Sequence, residues 1–485
     1  MRVWRISEPE LIFSRGRRDV NPCIGLIKYG PCGPDINKEA EYLPIRVGLI
    51  GTVNSINGIK PFLYNLSNKI YPIDKDKDYL TLFPGLSQIS KINCKISLSK
   101  TWEDIITKKE FDACLQKLSR VEKGQEYINL FEKKMDAMIV REPPPHIILL
   151  AVMNEELGHF QKQRMKTHIV KFAKRTFSDK SILAAQMSGG DLDFHNIIKT
   201  IGLKYQKPTQ LVTERTWTQE EGETQDPSMV AWNFSVGLYY KATGIPWKVI
   251  DLYPGTCYAG VGFYPDNIEQ GGEMGVSMAQ IFLHTGQSYV LRGQPFPWDY
   301  NQDRNPHLDE DHASALMMEI VNEYKNHMGQ EPQRIVIHKS TEFNKEELKG
   351  FNEGAKTISD KNFICILRKG VRFYTDDQYP VVRGTVISVS NNEHFLYTSG
   401  FIPALNTYPG SQVPTPLYVK LHDCDSTYEQ LLTEIMAFSK LDWNNAEFCS
   451  KFPITLKVSH RVGIILAEAR ARKIQNLPKQ YRFYM

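Results

Sequence analysis

The chain has 485 residues, 41% of them hydrophobic and 24% charged, which excludes a low-complexity chain and predicts a globular protein of two or more domains. The formal net charge of +4 permits a polyanionic partner without requiring one. The eight cysteines form no CxxC pair and no apolar run is long enough to span a membrane, which argues against a disulfide scaffold, a zinc ribbon and a membrane protein. Because the first residues also lack the layout of a signal peptide, we expect a soluble cytoplasmic protein with reduced thiols.

In the first half of the chain, short apolar runs typical of strands alternate with helical patterns. We predict strands at IRVGLIGT (45–52), PHIILLAVM (145–153) and TQLVTE (209–214). The segments that follow them have helical patterns: IKPFLYNLSNKI (59–70), the basic FQKQRMKTHIVKFAKRTF (160–177) and the apolar SMVAWNFSVGLYYK (228–241). This alternation predicts an α/β layer with parallel strands.

The apolar helix at 228–241 carries a full positive charge in its last turn. Hydrophobic side chains cover most of its circumference, which is typical of a helix packed on several sides, and Gly244 and Pro246 predict its end. One interpretation of Lys241 is that it complements the negative end of the helix dipole. The other is that a lysine near a core needs an anionic partner or a lowered pKa.

After residue 248 the chain becomes richer in strands, and we place a domain boundary there. Strands are predicted at CYAGVGFYP (257–265), QSYVLRGQ (287–294), PQRIVIHKS (332–340), FICILRKG (363–370), TVISVS (385–390) and HFLYTSGFI (394–402). Helices are predicted at 313–328, 427–440 and 458–473.

Several apparent motifs do not predict a catalytic site. HLDEDH (307–312) resembles a set of metal ligands, but it directly precedes a helix, where acidic residues favour the positive helix end. SGGD (188–191) is a glycine turn without the GKS/T of a nucleotide-binding loop. We therefore expect HLDEDH to be structural and SGGD not to bind a nucleotide.

One set of residues predicts a phosphate site. His195 and Lys199 are four apart and so share one helix face, Gln210 stands at the head of a strand, and Lys241 ends the buried helix. Two cations, an imidazole and an amide would together satisfy a terminal phosphate. Coincidental spacing in an unrelated α/β small-molecule enzyme is the alternative.

The pattern H-x3-K, a P-x-Q strand and a K before G-x-P-W resembles the MID domain of Argonaute proteins, which anchors the 5′ phosphate of a guide strand. CYAGVGFY, PQRIVIHKSTEFNKEE, SKLDWNNAEF and PITLKVSHRVGIIL resemble parts of the PIWI domain. The resemblance implies an α/β chain with an N-terminal segment (1–40), a Rossmann-like MID domain (41–248) and an RNase H-like PIWI domain (249–485). The N-terminal, PAZ and linker regions of long Argonautes are missing, so the resemblance is to the short prokaryotic class.

The resemblance also implies roles for individual residues. His195, Lys199, Gln210 and Lys241 match the guide-phosphate set, and the C-terminal carboxylate, here that of Met485, would help to hold Mg²⁺ against the phosphate. Slicing Argonautes hold two metal ions with a carboxylate-rich tetrad. This chain has Gly262 and Ser340 at the two aspartate positions and His460 at the last, which implies an inactive nuclease.

For such a protein the resemblance implies binding without cleavage. A guide RNA with a 5′ phosphate would pair with a complementary single-stranded DNA target from an invading plasmid or phage. A partner protein would combine an APAZ region with a TIR or sirtuin-like effector that degrades NAD, and the activated complex would form higher oligomers. The alternative within the family is an active guided nuclease.

Overall fold

The computed structural model describes residues 1–33, 35, 37–74, 76–77, 79–160, 193–219, 225–250, 252–263, 273–274, 278–297, 305–376 and 378–485. At residues 273, 274, 278, 297 and 460 it describes the backbone alone. The SGGD turn and the predicted basic helix beyond Phe160 lie outside the described residues.

The described strands and helices follow the predicted order. The strands are β1 (Arg2–Arg5), β2 (Leu11–Ile12), β3 (Arg18–Asp19), β4 (Leu43–Thr52), β5 (Cys94–Ser97), β6 (Glu103–Ile106), β7 (Ile147–Val152), β8 (Thr209–Thr213), β9 (Lys248–Val249), β10 (Thr256–Gly262), β11 (Glu273–Met274), β12 (Met278–Phe282), β13 (Ser288–Arg292), β14 (Phe296–Pro297), β15 (Arg334–Lys339), β16 (Asp360–Arg368), β17 (Thr385–Ser388), β18 (Glu393–Leu396) and β19 (Leu417–Cys424). The α-helices are Pro22–Tyr29, Val53–Asn65, Lys108–Leu115, Arg120–Ile139, Asn154–Phe160, Phe194–Lys204, Glu214–Thr218, Pro227–Lys241, Glu310–Met328, Lys345–Gly354, Tyr428–Phe438, Ile454–Lys457 and Ser459–Ala471. The mixed α/β class is confirmed.

The first sheet is parallel, as the strand–helix alternation predicts. Its strand order is β5-β4-β7-β8, and β6 pairs with the second half of β4. All six residues of β7 are buried, because helices cover both faces of a parallel sheet and leave no polar side to its central strand.

The second sheet is mixed, with the described order β1-β17-β18-β19-β16-β15-β10-β12-β13. The strands β10, β15 and β16 run parallel, whereas β12 and β13 continue from β10 as an antiparallel meander. This arrangement brings the carboxyl ends of β10, β15 and β16 to one edge of the sheet.

The N-terminal residues contribute to two sheets. β1 pairs with β17 at the edge of the second sheet, and β2 lies between β3 and β9 in a separate three-stranded sheet. Glu8 then binds two buried cations, accepting from Arg383 Nε at 2.9 Å and from Lys440 Nζ at 2.8 Å. The first residues are therefore anchored by both backbone pairing and a buried ionic network.

The helix Pro227–Lys241, which we call the Lys241 helix, lies between the two sheets. Trp232 packs edge-on against Phe83 of the segment before β5, whereas Tyr240 contacts Trp443, with ring centroids 4.6 Å apart. One continuous hydrophobic cluster contains residues of this helix and of both sheets. The burial on several sides that the sequence predicts is confirmed.

Gly244 follows the end of this helix, as predicted, but it does not supply the left-handed residue there. The residue with positive φ is Thr243, at 80°, and the amides of Thr243 and Gly244 donate to the carbonyls of Tyr240 and Tyr239. Gly244 is needed for a different reason: a Cβ there would lie 2.2 Å from the ring of Tyr239.

The HLDEDH segment has the structural role that the sequence predicts. Asp309 caps the helix Glu310–Met328 by accepting from the His312 amide at 2.8 Å, so HLDEDH opens a helix as predicted. All eight cysteines are free thiols. Within the described residues, no helix has the length and apolar character needed to cross a membrane.

Candidate functional site

The predicted phosphate residues lie where the first sheet's layer meets the Lys241 helix. The helix Phe194–Lys204, which we call the His195 helix, begins at the cap Asp193 and carries His195 and Lys199 one turn apart. It packs against β8, which carries Gln210. Lys241 Nζ donates to Gln210 Oε1 at 2.7 Å, and Lys199 Nζ donates to the carbonyl of Thr209. The structure therefore brings together the residues that the sequence predicts.

The two lysines are buried without a carboxylate. Lys199 is 1% exposed and Lys241 is 5% exposed, and within the described chain their hydrogen-bond acceptors are a carbonyl and an amide oxygen. Burial lowers the pKa of Lys241 to about 8. Burial and the nearby charge of Lys241 lower the pKa of Lys199 well below its ordinary value. Removing an ammonium group from water disfavours its charged form, which explains why both pKa values are lowered.

The two ammonium groups also affect each other unequally. Their interaction raises the pKa of Lys241 and lowers that of Lys199, so Lys241 is the more readily protonated of the two. Burial, with a smaller contribution from the nearby cations, lowers the pKa of His195 to about 3, which favours its neutral form.

Arg461 is an exposed cation close to the pocket that the sequence analysis missed. It lies on the helix Ser459–Ala471, which we call the Arg461 helix and which packs against the His195 helix. Its charge contributes to the lowered pKa values of His195, Lys199 and Lys241. Arg461 was not predicted because its neighbour in the sequence, His460, was assigned to the nuclease positions.

The C-terminal turn lies beside the same helices. Its 3₁₀ turn, Tyr481–Phe483, packs against both the His195 helix and the Lys241 helix, and Met485 is 3% exposed. The four converging side chains include no carboxylate, and the described residues contain no group of three His, Cys, Asp or Glu that suits a metal ion. A magnesium ion here would therefore depend on the carboxylate of Met485 and on oxygens from a ligand.

An open cleft of about 340 Å³ adjoins Gln210. Its walls combine amide, hydroxyl and guanidinium groups with a small apolar surface, formed by Gln210, Arg215, Thr216, Gln225, Val230, Asn233, Phe234 and Asn444. A planar group bearing hydrogen-bond donors and acceptors matches such a wall.

The predicted nuclease positions lie together at one edge of the second sheet. Gly262 ends β10, Ser340 directly follows the neighbouring parallel strand β15, and Val261 stands opposite Lys339. The Arg461 helix begins beside them, with the backbone of His460 in its first turn. A Cβ at Gly262 would lie 2.9 Å from the Cβ of Ser459, so this position is closely packed.

A buried ion pair stands next to these positions. Lys339 and Glu347 are both completely buried, and Lys339 Nζ donates to Glu347 Oε2 at 2.6 Å. His307 lies 2.9 Å from the same carboxylate, and the Leu308 amide donates to its other oxygen. The carboxylate of Glu347 is thus satisfied by protein groups.

Comparison with known proteins supports the fold. No protein-family model and no curated protein matches the sequence. Among solved structures, Clostridium butyricum Argonaute bound to a guide DNA and a 19-mer target DNA matches with a TM-score of 0.63 and 14% identity over 96% of this chain and 53% of that one. Marinitoga piezophila Argonaute in complex with a 5′ OH guide RNA matches with a TM-score of 0.56 and 10% identity over 100% and 59%. A. aeolicus Argonaute matches with a TM-score of 0.53 and 14% identity over 98% and 54%. The chain spans just over half the length of these proteins, and it has an Argonaute-like fold.

Proposed function

We propose that this chain binds the 5′ phosphate of a guide strand with His195, Lys199, Gln210, Lys241 and Arg461. The observation that carries the proposal is a pair of buried lysines whose described hydrogen-bond acceptors are uncharged. Burying cations without a counter-ion is unfavourable, so a fold that keeps them is expected to gain from an anionic ligand. A terminal phosphate supplies up to two negative charges and several acceptor oxygens.

A guide fixed by its 5′ end leaves its bases free to pair. Watson–Crick pairing then supplies sequence specificity, while the protein recognises phosphate and duplex shape. We propose a guide RNA and a complementary single-stranded DNA target. Mg²⁺ would enter only together with the phosphate, held by the carboxylate of Met485, because the converging side chains are cationic or neutral.

We propose that the chain does not cut its target. Two-metal hydrolysis needs carboxylates that hold both ions. Gly262 and Ser340 supply none, and the close approach of Ser459 to Gly262 disfavours a side chain at the first position. The active guided nuclease remains the competing function, and target cleavage in Mg²⁺ or Mn²⁺ by the purified chain would establish it.

A chain that binds without cutting needs a second protein for its output. We propose a short prokaryotic Argonaute whose cytoplasmic partner carries an APAZ region and a TIR or sirtuin-like domain that degrades NAD. Pairing with invading plasmid or phage DNA would activate the complex, with assembly into higher oligomers. Such a switch requires target pairing to bind one state of the complex more tightly than the other.

The test compares guide RNAs that differ only in a 5′ phosphate or a 5′ hydroxyl. The double variant Lys199→Met with Lys241→Met keeps the apolar stems and removes the ammonium groups. Since each charged hydrogen bond is worth about 1.5–3 kcal/mol, we expect at least about a hundredfold weaker binding of the phosphorylated guide. The hydroxyl guide should bind wild type and variant alike.

The matched control removes two exposed lysines, by Lys349→Met with Lys356→Met. Both lie outside the pocket and pair with surface carboxylates. Equal binding of the two guides by the wild type would contradict the proposal and would resemble the use of a 5′ OH guide RNA in the Marinitoga piezophila complex. A phosphate preference that survives in the double variant would contradict the assignment of the pocket.

A further inference from the structure

Residues 478–485, which we call the tail strap, are fastened to the outer edge of the second sheet. β13 is the outermost strand of that sheet in its described order. The amide of Val290 in β13 donates to the carbonyl of Lys479 at 2.6 Å, and Tyr289 forms an antiparallel bridge with Gln480. The backbone of the strap therefore covers the edge of β13.

The side chain of Lys479 reaches a buried carboxylate. Glu323 lies in the helix Glu310–Met328 and is 5% exposed. Its Oε2 accepts from Lys479 Nζ at 2.5 Å, and its Oε1 lies 3.1 Å from Nε2 of His327. We call the Glu323–Lys479 ion pair the strap latch. Because a buried carboxylate that loses its cation is strongly unfavourable, the latch favours the docked strap.

An aromatic contact joins the latch to the backbone bridge. The ring of His327 stacks on that of Tyr289, with centres 3.7 Å apart and planes inclined by 17°. Tyr289 is the residue that pairs with Gln480, whereas His327 contacts the same carboxylate as Lys479. Side-chain and backbone contacts thus hold the strap at two consecutive residues.

The strap continues directly into the phosphate site. Its 3₁₀ turn, Tyr481–Phe483, contacts both the His195 helix and the Lys241 helix. The Tyr481 hydroxyl accepts from Asn444 Nδ2 at 3.2 Å, and its ring centre lies 6.4 Å from that of Tyr240, the residue before Lys241. Since each residue spans at most about 3.6 Å, Tyr481 lies within about 7 Å of Lys479 along the chain. A fixed latch therefore restricts the movement of Tyr481.

We propose that Glu323 and Lys479 are positioning residues for the phosphate pocket. Their ion pair holds the strap so that Tyr481 braces the end of the Lys241 helix beside the His195 helix. This inference rests on the proposed function, because the preference for a 5′ phosphate is the property that the latch supports. If the latch served the sheet edge alone, its loss would leave that preference unchanged.

The test combines a local and a distant measurement on the Lys479→Met variant, which keeps the apolar stem and removes the charge. The side chain of Lys479 is 55% exposed, so we expect the variant to fold. Hydrogen exchange of the Val290 amide should become at least about tenfold faster, because the strap opens more often. The 5′-phosphorylated guide RNA should bind about tenfold more weakly, within the range typical of coupling between distant sites, and the 5′-hydroxyl guide should bind as before.

Three variants separate charge from shape and position. Glu323→Gln retains the shape of the carboxylate without its charge, so it should behave as Lys479→Met. Lys479→Arg keeps the charge and should retain both the slow exchange and the phosphate preference of the wild type. Lys325→Met is the matched control, because Lys325 is exposed on the same helix and pairs with Glu331. We expect it to change neither measurement.

The proposal is overturned if Val290 exchange is unchanged in Lys479→Met, if exchange accelerates while the phosphate preference persists, or if Lys325→Met has the same effects. Failure of the proposed function gives a different result. Equal binding of both guides by the wild type would overturn the pocket and the latch together, whereas a wild-type preference that survives in the latch variants overturns the latch alone. Lys199→Met with Lys241→Met should lose the preference while the Val290 amide exchanges as slowly as in the wild type.

Discussion

Lys241→Met should stabilise the unliganded protein while weakening its phosphate preference. At pH 7 the wild type carries a charge on Lys241 that burial disfavours. Lowering its pKa from 10.5 to about 8 corresponds to about 3 kcal/mol of native-state destabilisation, since one pKa unit is worth about 1.4 kcal/mol. The variant also loses the 2.7 Å hydrogen bond to Gln210, which reduces the stabilisation by about 1 kcal/mol. The expected net gain is about 2 kcal/mol.

The pH dependence of this gain follows from the direction of the pKa change. The folded pKa lies below the unfolded one, so the unfolded state binds the proton more tightly and the penalty is fully present below about pH 8. It declines as the pH rises from about 8 towards 10.5, where both states become neutral. The advantage of Lys241→Met should therefore shrink over the same range.

Urea unfolding of wild type and variant at pH 7 and at pH 9.5 measures both effects. Lys349→Met is the matched control, because Lys349 is exposed and its pairing with Glu310 is screened by solvent, and we expect no significant change in stability. A destabilised Lys241→Met protein at pH 7 would refute the reasoning. So would a stability difference that is the same at both pH values.

Three further outcomes are expected. In the unliganded protein the pKa of Lys241 is about 8, so affinity for a 5′-phosphorylated guide should fall above that pH by up to about tenfold per pH unit. Titration calorimetry at several pH values measures this loss. Thr243→Gly should raise the free energy of unfolding by about 1 kcal/mol, because a β-branched residue is strained at a φ of 80°, and Thr243→Ala should not. Gly262→Asp should produce no nuclease activity in Mn²⁺ and should lower the melting temperature, because its Cβ would crowd Ser459; Ser459→Gly should restore the melting temperature.

Local patterns were sufficient to predict most elements of the fold. A central strand of a parallel sheet is buried on both faces, so its sequence is a continuous apolar run. β7 has such a run and was therefore predicted directly. The edge strand β1 could not be predicted, since Trp4 meets Ser388, 384 residues away, and RVWR has no pattern of its own. The sequence predicts the end of the Lys241 helix near Gly244 but not the positive φ of Thr243, because the ring of Tyr239 requires the glycine one position later.

The composition of the candidate site explains why one of its members was missed. Lys199, Gln210 and Lys241 come from the His195 helix, β8 and the Lys241 helix, which follow one another closely in the chain, so their order is a usable signal. Arg461 comes from a helix that packs on β10 and β12 of the second sheet, and it reaches the pocket only because that helix also contacts the His195 helix. The pocket is therefore complete only when both layers are docked. A ligand that binds only when the layers are docked stabilises the junction between them as well as the two lysines. The equilibrium shifts towards the docked state by a factor that grows with the ratio of ligand concentration to dissociation constant.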